Sequence, residues 1–114
     1  MLKRNMKRVL ITAAEPEEIV CAEQAHRLHE HAIADKLDVD FMLTGIGTTS
    51  TCYRLTKRLL EASVSGKPYD LVINIGIAGS YSFNDTPQAP ALFPMGSTAV
   101  IDALIMASAW ERNN

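Results

Sequence analysis

The sequence predicts an α/β fold built on a parallel sheet, because short apolar runs alternate with amphipathic stretches. Three apolar runs, at residues 8–13, 39–44 and 70–76, have the length of strands. Two stretches between them, 17–34 and 48–63, carry apolar residues every three or four positions, as helices do. Strand, helix, strand, helix, strand with short connections is typical of a doubly wound parallel sheet.

The stretch Tyr69–Tyr81 is the one around which we expect the chain to be organised. It begins with a near-continuous apolar run: Leu71, Val72, Ile73 and Ile75. Such a run suits a strand buried on both faces of a parallel sheet, so we predict that 70–76 is the central strand or lies next to it. Small residues follow at 76–80, where a ligand can approach the backbone closely. Ligands of open α/β sheets bind at the carboxyl ends of strands, which predicts a pocket here.

The first strand, 8–13, leads into a helix whose start is marked by Pro16. Proline suits the first helical turn because its missing N–H is not needed there. Glu17 and Glu18 follow, near the positive end of the helix dipole. Charge compensation is the simpler explanation of these carboxylates, and a general acid or base is the alternative. If one of them serves the pocket, we expect Glu18, the deepest in the first turn.

The second helix is predicted after Gly45-Ile46-Gly47, with Thr48 or Thr49 as its cap. Its predicted apolar surface consists of Tyr53, Leu55, Leu59 and Leu60, and its predicted water-facing residues are Arg54, Lys57, Arg58 and Glu61. The two glycines do not form a dinucleotide fingerprint, because position 50 is serine where that motif needs a third glycine. They indicate either a tight turn or a loop that approaches a ligand.

Composition indicates a soluble, cytoplasmic protein of one modest domain. The chain has 114 residues, a net charge of −2 and no apolar run of membrane-spanning length, so we expect neither nucleic acid nor membrane as a partner. The basic N-terminus precedes too short an apolar run for a signal peptide. Cys21 and Cys52 lack metal or redox spacing and are predicted to be buried, reduced thiols. His26, His29 and His31 include no i, i+4 pair, so no metal is expected.

Three stretches together resemble the nucleoside phosphorylase and nucleosidase superfamily: Val9–Ile19, Leu43–Gly47 and Asp70–Ser80. Within it, Asn-Ile-Gly-Ile-Ala-Gly-Ser at 74–80 is most similar to futalosine hydrolases, enzymes of an alternative route of menaquinone biosynthesis. Methylthioadenosine/S-adenosylhomocysteine nucleosidases are the nearest relatives of that group. They usually carry Ser-Ala-Gly-Gly where this chain has Ile-Ala-Gly-Ser.

The resemblance implies a hydrolase that cleaves the N-glycosidic bond of futalosine and releases hypoxanthine. Glu18 matches the glutamate that activates the attacking water in the nucleosidases. Ile77, Ala78 and Gly79 match the loop beside the base and the water, and Gly47 lies in the loop near the ribose. The resemblance further implies a phosphorylase/hydrolase-like α/β/α sandwich, a purine nucleoside as ligand, no cofactor and a homo-oligomer.

The resemblance ends near residue 82, and residues 83–114 are an atypical C-terminal segment. Three prolines predict a loop over 83–96, and an Ala-rich stretch predicts a helix from about Val100. The family's aspartate that protonates the base, and its ribose-binding Met-Glu pair, belong to a C-terminal half that would follow Asn114. Asp102 does not stand in the donor's context.

We therefore expect a partial domain with an exposed apolar surface. An inactive chain, lacking the family's C-terminal half, is one of the alternatives that the sequence leaves open. A methylthioadenosine/S-adenosylhomocysteine nucleosidase and a non-catalytic nucleoside-binding or oligomerisation module remain the alternatives to futalosine hydrolysis.

Overall fold

The computed structural model describes residues 6–33, 36–79 and 95–101. It divides the chain into two compact units, Met1–Ile77 and Ala78–Asn114. The described residues of the first unit form six elements: β1 (Lys7–Ala13), α1 (Pro16–Leu28), α2 (Glu30–Ile33), β2 (Leu37–Leu43), α3 (Thr48–Val64) and β3 (Leu71–Asn74). In the second unit, residues 95–101 contain a turn at Met95 and Gly96 and neither helix nor strand. No helix in these described ranges is long and apolar enough to cross a membrane.

The three strands form one all-parallel sheet in the order β2-β1-β3. Val9 of β1 lies opposite Val39 of β2 on one side and Leu71 of β3 on the other. The predicted α/β fold with a parallel sheet is confirmed. Because the strands are parallel, their carboxyl ends lie at one edge of the sheet, and their amino ends lie at the opposite edge.

The predicted position of the 70–76 strand, at the centre of the sheet or next to it, is confirmed, but its predicted burial is not. The central strand of the described sheet is β1, and β3 lies next to it. Leu71 is 52% exposed and Ile73 is 40% exposed, so the prediction that this strand is buried on both faces is wrong. An apolar run shows that a strand can be buried, but the crossover connections decide which strand receives a neighbour on each side.

Burial is concentrated on β1, whose consecutive residues Val9 and Leu10 are both buried, as are Thr12 and Ala13. Neighbouring residues of a strand point to opposite faces, so both faces of β1 are covered. Leu10 is completely buried, and Ile19 of α1 is also buried. The hydrophobic core of the described residues is therefore centred on β1.

The first predicted helix, 17–34, is interrupted at His29, where α1 ends and α2 follows. The backbone N–H of His29 reaches the carbonyl oxygens of both Ala25 and His26. The His29 ring Nδ1 also lies 2.9 Å from the Ala25 oxygen. His29, with φ −111° and ψ 12°, departs from helical geometry, and the short helix α2 begins at the next residue. In the second unit, Val100 and Ile101 are not helical, and the remainder of the helix predicted there lies outside the described residues.

Helix α3 exposes part of the surface that the sequence predicted to be apolar and packed. Leu55 and Leu59 are half-buried, whereas Tyr53 and Leu60 are 66% and 60% exposed. Arg58, predicted to face water, is half-buried and belongs to a network described below. The predicted burial of the two cysteines is also wrong, since Cys21 and Cys52 are free and exposed. Hydrophobic periodicity identified the helix, but it did not show how much of the apolar stripe meets the sheet.

A polar network surrounds Arg8 at the amino edge of the sheet. Arg8 Nε lies 3.2 Å from Asp38 Oδ2, and Arg8 Nη2 lies 3.0 Å from Asp40 Oδ2. The Arg8 guanidinium also stacks 4.3 Å from the ring centroid of Tyr69, whose hydroxyl donates to Asp40 Oδ2. Arg58 Nε donates to the Tyr69 hydroxyl over 3.2 Å, and this bond, with the nearby Asp40 charge, raises the pKa of Arg58. Arg8 thereby connects β2 to the segment that leads into β3.

We expect Arg8→Met to lower the free energy of unfolding by about 1–3 kcal/mol, because it removes the cation paired with Asp38 and leaves Asp40 with only the more distant Arg58, 3.9 Å away. Urea denaturation measures this loss. Arg27→Met is the matched control, since Arg27 is exposed and no described residue pairs with it. We expect its effect to stay within about 0.5 kcal/mol. Equal effects of the two substitutions would show that the network adds nothing to stability.

Candidate active site

The carboxyl edge of the sheet gathers three connections: residues 14–15 after β1, 44–47 after β2, and 75–77 after β3. Helices α1 and α3 both begin at this edge. Backbone N–H groups of their first turns have no partner within the helix, so the edge offers hydrogen-bond donors and positive helix-dipole ends. Topology thus brings together the motifs that the sequence analysis singled out separately.

Glu18 extends from the first turn of α1 to the loop after β3. The helix begins at Pro16, and the Glu18 N–H donates to the carbonyl of Glu15 over 3.1 Å. In the side chain, Oε2 accepts the backbone N–H of Ile77 over 3.0 Å. Two motifs separated by 59 residues in the chain therefore meet at one carboxylate. A side chain in this first turn also lies near the positive end of the helix dipole.

Gly76 makes room for this contact. A Cβ built on Gly76 would lie 2.8 Å from Glu18 Oε2, which is closer than such atoms approach each other without displacement. The missing side chain therefore lets the carboxylate reach the Ile77 N–H. Gly76 itself is not among the predicted site residues, although small residues in this loop are predicted to permit a close approach.

We expect Gly76→Ala to weaken the hydrogen bond between Glu18 and Ile77 by displacing the carboxylate. The free energy of unfolding should fall by about 0.5–1.5 kcal/mol, and the Ile77 amide should exchange its hydrogen faster. Gly79→Ala is the matched control for the backbone effect of adding a methyl group. A Cβ there would meet no described atom within 4 Å. If Ile77 exchanges at the same rate in Gly76→Ala and in the parent, Gly76 does not govern the contact.

The predicted capping of α3 by Thr48 or Thr49 is wrong. Thr48 is already the first helical residue, and Gly47 is the N-cap, without a side-chain hydrogen bond. Gly47 has a φ of 95°, a conformation that glycine adopts at low cost. A threonine at the N-cap would be strained by this positive φ, although its hydroxyl oxygen could accept a hydrogen bond from a backbone N–H.

Side-chain hydrogen bonds hold the loop that precedes Gly47, and one of them comes from a residue of α3. Ser50 Oγ donates to the Thr44 carbonyl over 2.6 Å, and the buried Thr44 hydroxyl lies 3.3 Å from the carbonyl oxygen of Ala13. These contacts connect the end of β2 to the end of β1. Gly47 therefore belongs to the same sheet edge as Glu18.

The remaining predicted site residues divide between the two units. Ile77, the last residue of the first unit, is 86% exposed and contributes its backbone N–H to Glu18. Ala78 and Gly79 are exposed and belong to the second unit. Of the five predicted site residues, the contacts bring Glu18 and Ile77 together. Gly47 lies at the same edge of the sheet. The roles of Ala78 and Gly79 in a binding site stay predictions.

Thr12 and Asn74, neither of them among the predicted site residues, form a polar pair. They lie opposite each other at the ends of β1 and β3, and Thr12 Oγ1 donates to Asn74 Oδ1 over 3.0 Å. The Thr12 carbonyl also accepts the N–H of Ile75 over 2.8 Å. One signal could have identified both residues: each is a polar residue near the carboxyl end of an otherwise apolar run.

The histidines do not approach a common ligand position in the described structure. The ring of His26 packs edge-on against Phe41, with 5.7 Å between the ring centroids. Within residues 6–33, 36–79 and 95–101, no group of three or more His, Cys, Asp or Glu side chains is arranged to hold a metal ion.

No protein-family model, curated protein or solved structure matches the chain. Function is therefore inferred from the groups at the sheet edge and from the resemblance carried by their motifs.

Proposed function

We propose that this chain is an N-glycosyl hydrolase that acts on futalosine and releases hypoxanthine, a step of menaquinone biosynthesis. The observation that carries the proposal is the 3.0 Å hydrogen bond between Glu18 Oε2 and the Ile77 N–H. It joins the carboxylate that the resemblance assigns to water activation with the loop that the resemblance assigns to the base. A carboxylate that served only to neutralise the helix end would have no need of this second partner.

The chemistry needs a base beside a water molecule. As the water oxygen bonds to the anomeric carbon, the bond from that carbon to the purine nitrogen breaks, and the ribosyl group acquires oxocarbenium character. Glu18 takes a proton from the water in this step. Its Oε2 is held by Ile77, and no described residue donates to Oε1, so Oε1 is free to accept the proton. The departing base also gains a proton, and we assign that step to no residue of this chain.

We further propose that the sheet belongs to a phosphorylase/hydrolase-like α/β/α sandwich. The burial of consecutive residues in β1 supports cover on both faces of the sheet. The strand order β2-β1-β3 supports it as well, because the two crossovers run in opposite directions across the sheet. Crossovers between parallel strands are right-handed in nearly all proteins, which puts α1 and α3 on opposite faces.

Incubation of the chain with futalosine, with hypoxanthine release as the readout, tests the proposed activity. Methylthioadenosine, with adenine release as the readout, is the parallel substrate. Release from futalosine supports the proposal, and release from methylthioadenosine alone would favour the related nucleosidase activity. Calorimetric binding of futalosine without hydrolysis would favour a nucleoside-binding module. A chain that neither binds nor cleaves futalosine contradicts the proposal.

We also propose that the chain forms a homo-oligomer. The described residues expose large apolar side chains on α3, among them Tyr53 and Leu60, and on β3, among them Leu71 and Ile73. Large exposed apolar patches commonly mark contact surfaces between proteins. We expect sedimentation equilibrium to show a dimer or a larger species whose population rises with concentration. A single monomeric species across the whole concentration range would contradict self-association.

A further inference from the structure

The side-chain amide of Asn74 is a polar group that the mechanism above leaves unused. Asn74 is the exposed last residue of β3, and its Oδ1 accepts the hydroxyl proton of Thr12 over 3.0 Å. Thr12 is only 2% exposed, so its hydroxyl is a fixed donor rather than a surface group. With Oδ1 engaged, the NH₂ group of the amide is left to donate, and no described residue accepts a hydrogen bond from it.

The Asn74 amide lies on the same side of the chain as the Glu18 carboxylate. Side chains alternate along a strand, so positions 74 and 76 project to one side. The hydrogen bonding to β1 continues one residue past the end of β3, since the N–H of Ile75 still bonds to the Thr12 carbonyl over 2.8 Å. At position 76, a Cβ would point at Glu18 Oε2 from 2.8 Å.

The spacing of these groups suits a bridging water molecule. Positions two residues apart in a strand are separated by about 6.5 Å. That separation is between Cα atoms, and two consecutive hydrogen bonds through one water oxygen span at most about 5.8 Å, so a modest rotation of either side chain brings the amide and the carboxylate within reach of one water. A water between the amide and the carboxylate can accept a hydrogen bond from one and donate to the other.

We propose that Asn74 is a further catalytic residue that donates a hydrogen bond from Nδ2 to the water activated by Glu18, and that Thr12 is a positioning residue acting through it. A water that accepts from Asn74 and donates to Glu18 has its remaining lone pair free to attack the anomeric carbon. The Thr12 hydroxyl holds the amide with its donor toward that water. This inference rests on the proposed function, whose Glu18 site it completes.

Two substitutions test the role of the pair in futalosine hydrolysis. Asn74→Asp keeps the shape of the side chain but replaces the donor by an acceptor, and we expect kcat to fall by about 10²-fold. Thr12→Val removes only the hydroxyl, and we expect a fall of about 10-fold that Thr12→Ser restores. KM should stay within about threefold of the parent in all three variants, because the pair acts on water rather than on the nucleoside. Asn74 is exposed, so we expect Asn74→Asp to fold like the parent. The proposal therefore stays testable even if the buried substitution Thr12→Val impairs folding.

Nuclear magnetic resonance of the Asn74 side-chain amide gives a readout that does not depend on turnover. Its signals are assigned by their absence from Asn74→Asp. We expect two well-separated proton signals in the parent and in Thr12→Ser, and signals close to the solvent-exposed average in Thr12→Val. Signals that do not differ between the parent and Thr12→Val would overturn the role of Thr12.

The outcomes separate this inference from the proposed function. Parent-like kcat in Asn74→Asp, together with an inactive Glu18→Gln, would overturn the role of Asn74 and leave the proposed hydrolysis intact. A parent that does not hydrolyse futalosine would overturn both. We expect Asn74→Asp to have a lower kcat at unchanged KM. We also expect Thr12→Ser to recover the kcat that Thr12→Val loses.

Discussion

Glu18→Gln is expected to lower turnover of futalosine by about 10²–10⁴-fold, the range for loss of a general acid–base group. The glutamine keeps the size of the side chain, and its amide oxygen can still accept the Ile77 N–H that now lies 3.0 Å from Oε2. What it loses is the ability to take a proton from water. Substrate binding should weaken far less, because the carboxylate acts on water rather than holding the base.

Glu15→Gln is the matched control for Glu18→Gln. Glu15 is exposed, lies at the N-cap of α1 and makes no side-chain capping bond, so it shares the helix end but not the contact with Ile77. We expect turnover within about twofold of the parent, since only a helix-end charge is removed. Equal turnover in the parent and in Glu18→Gln would remove Glu18 from the mechanism.

Leu10→Ala is expected to lower the free energy of unfolding by about 2–5 kcal/mol. Leu10 is completely buried in β1, the strand with neighbours on both sides, so its truncation leaves a cavity that the sheet cannot easily close. Small domains are stable by only about 5–15 kcal/mol in total, and the loss is a large fraction of that margin. A shift of the urea midpoint, with the slope of the transition unchanged, is the measurement.

The same substitution at Leu28 is the control for Leu10→Ala. Leu28 is the last residue of α1 and is 82% exposed, so its truncation removes few contacts. We expect its effect to stay within about 0.5 kcal/mol. If the two substitutions destabilise the chain equally, β1 does not form the centre of the core.

The strands and helices of the first unit follow one another in the order that the sequence predicts, except that the predicted helix 17–34 is divided at His29. The predicted strand at 8–13 and helix at 48–63 correspond to Lys7–Ala13 and Thr48–Val64. These elements follow from local properties: apolar runs of strand length, helical periodicity and a proline suited to the first turn of a helix. Glu18 was also identifiable as the carboxylate to consider, because it follows the first strand in the turn where α1 begins.

Which strand is central, and which groups meet at the carboxyl edge, depends on the packing of distant segments and could not be predicted from local patterns. Hydrophobicity favoured 70–76 as a strand buried on both faces, yet β1 occupies the centre, because the two crossovers leave it with a neighbour on each side. The contact of Glu18 with Ile77, and the pairing of Thr12 with Asn74, join residues 59 and 62 positions apart. Local patterns carry no information about such distant pairs, since strand order and register alone bring them within hydrogen-bonding distance.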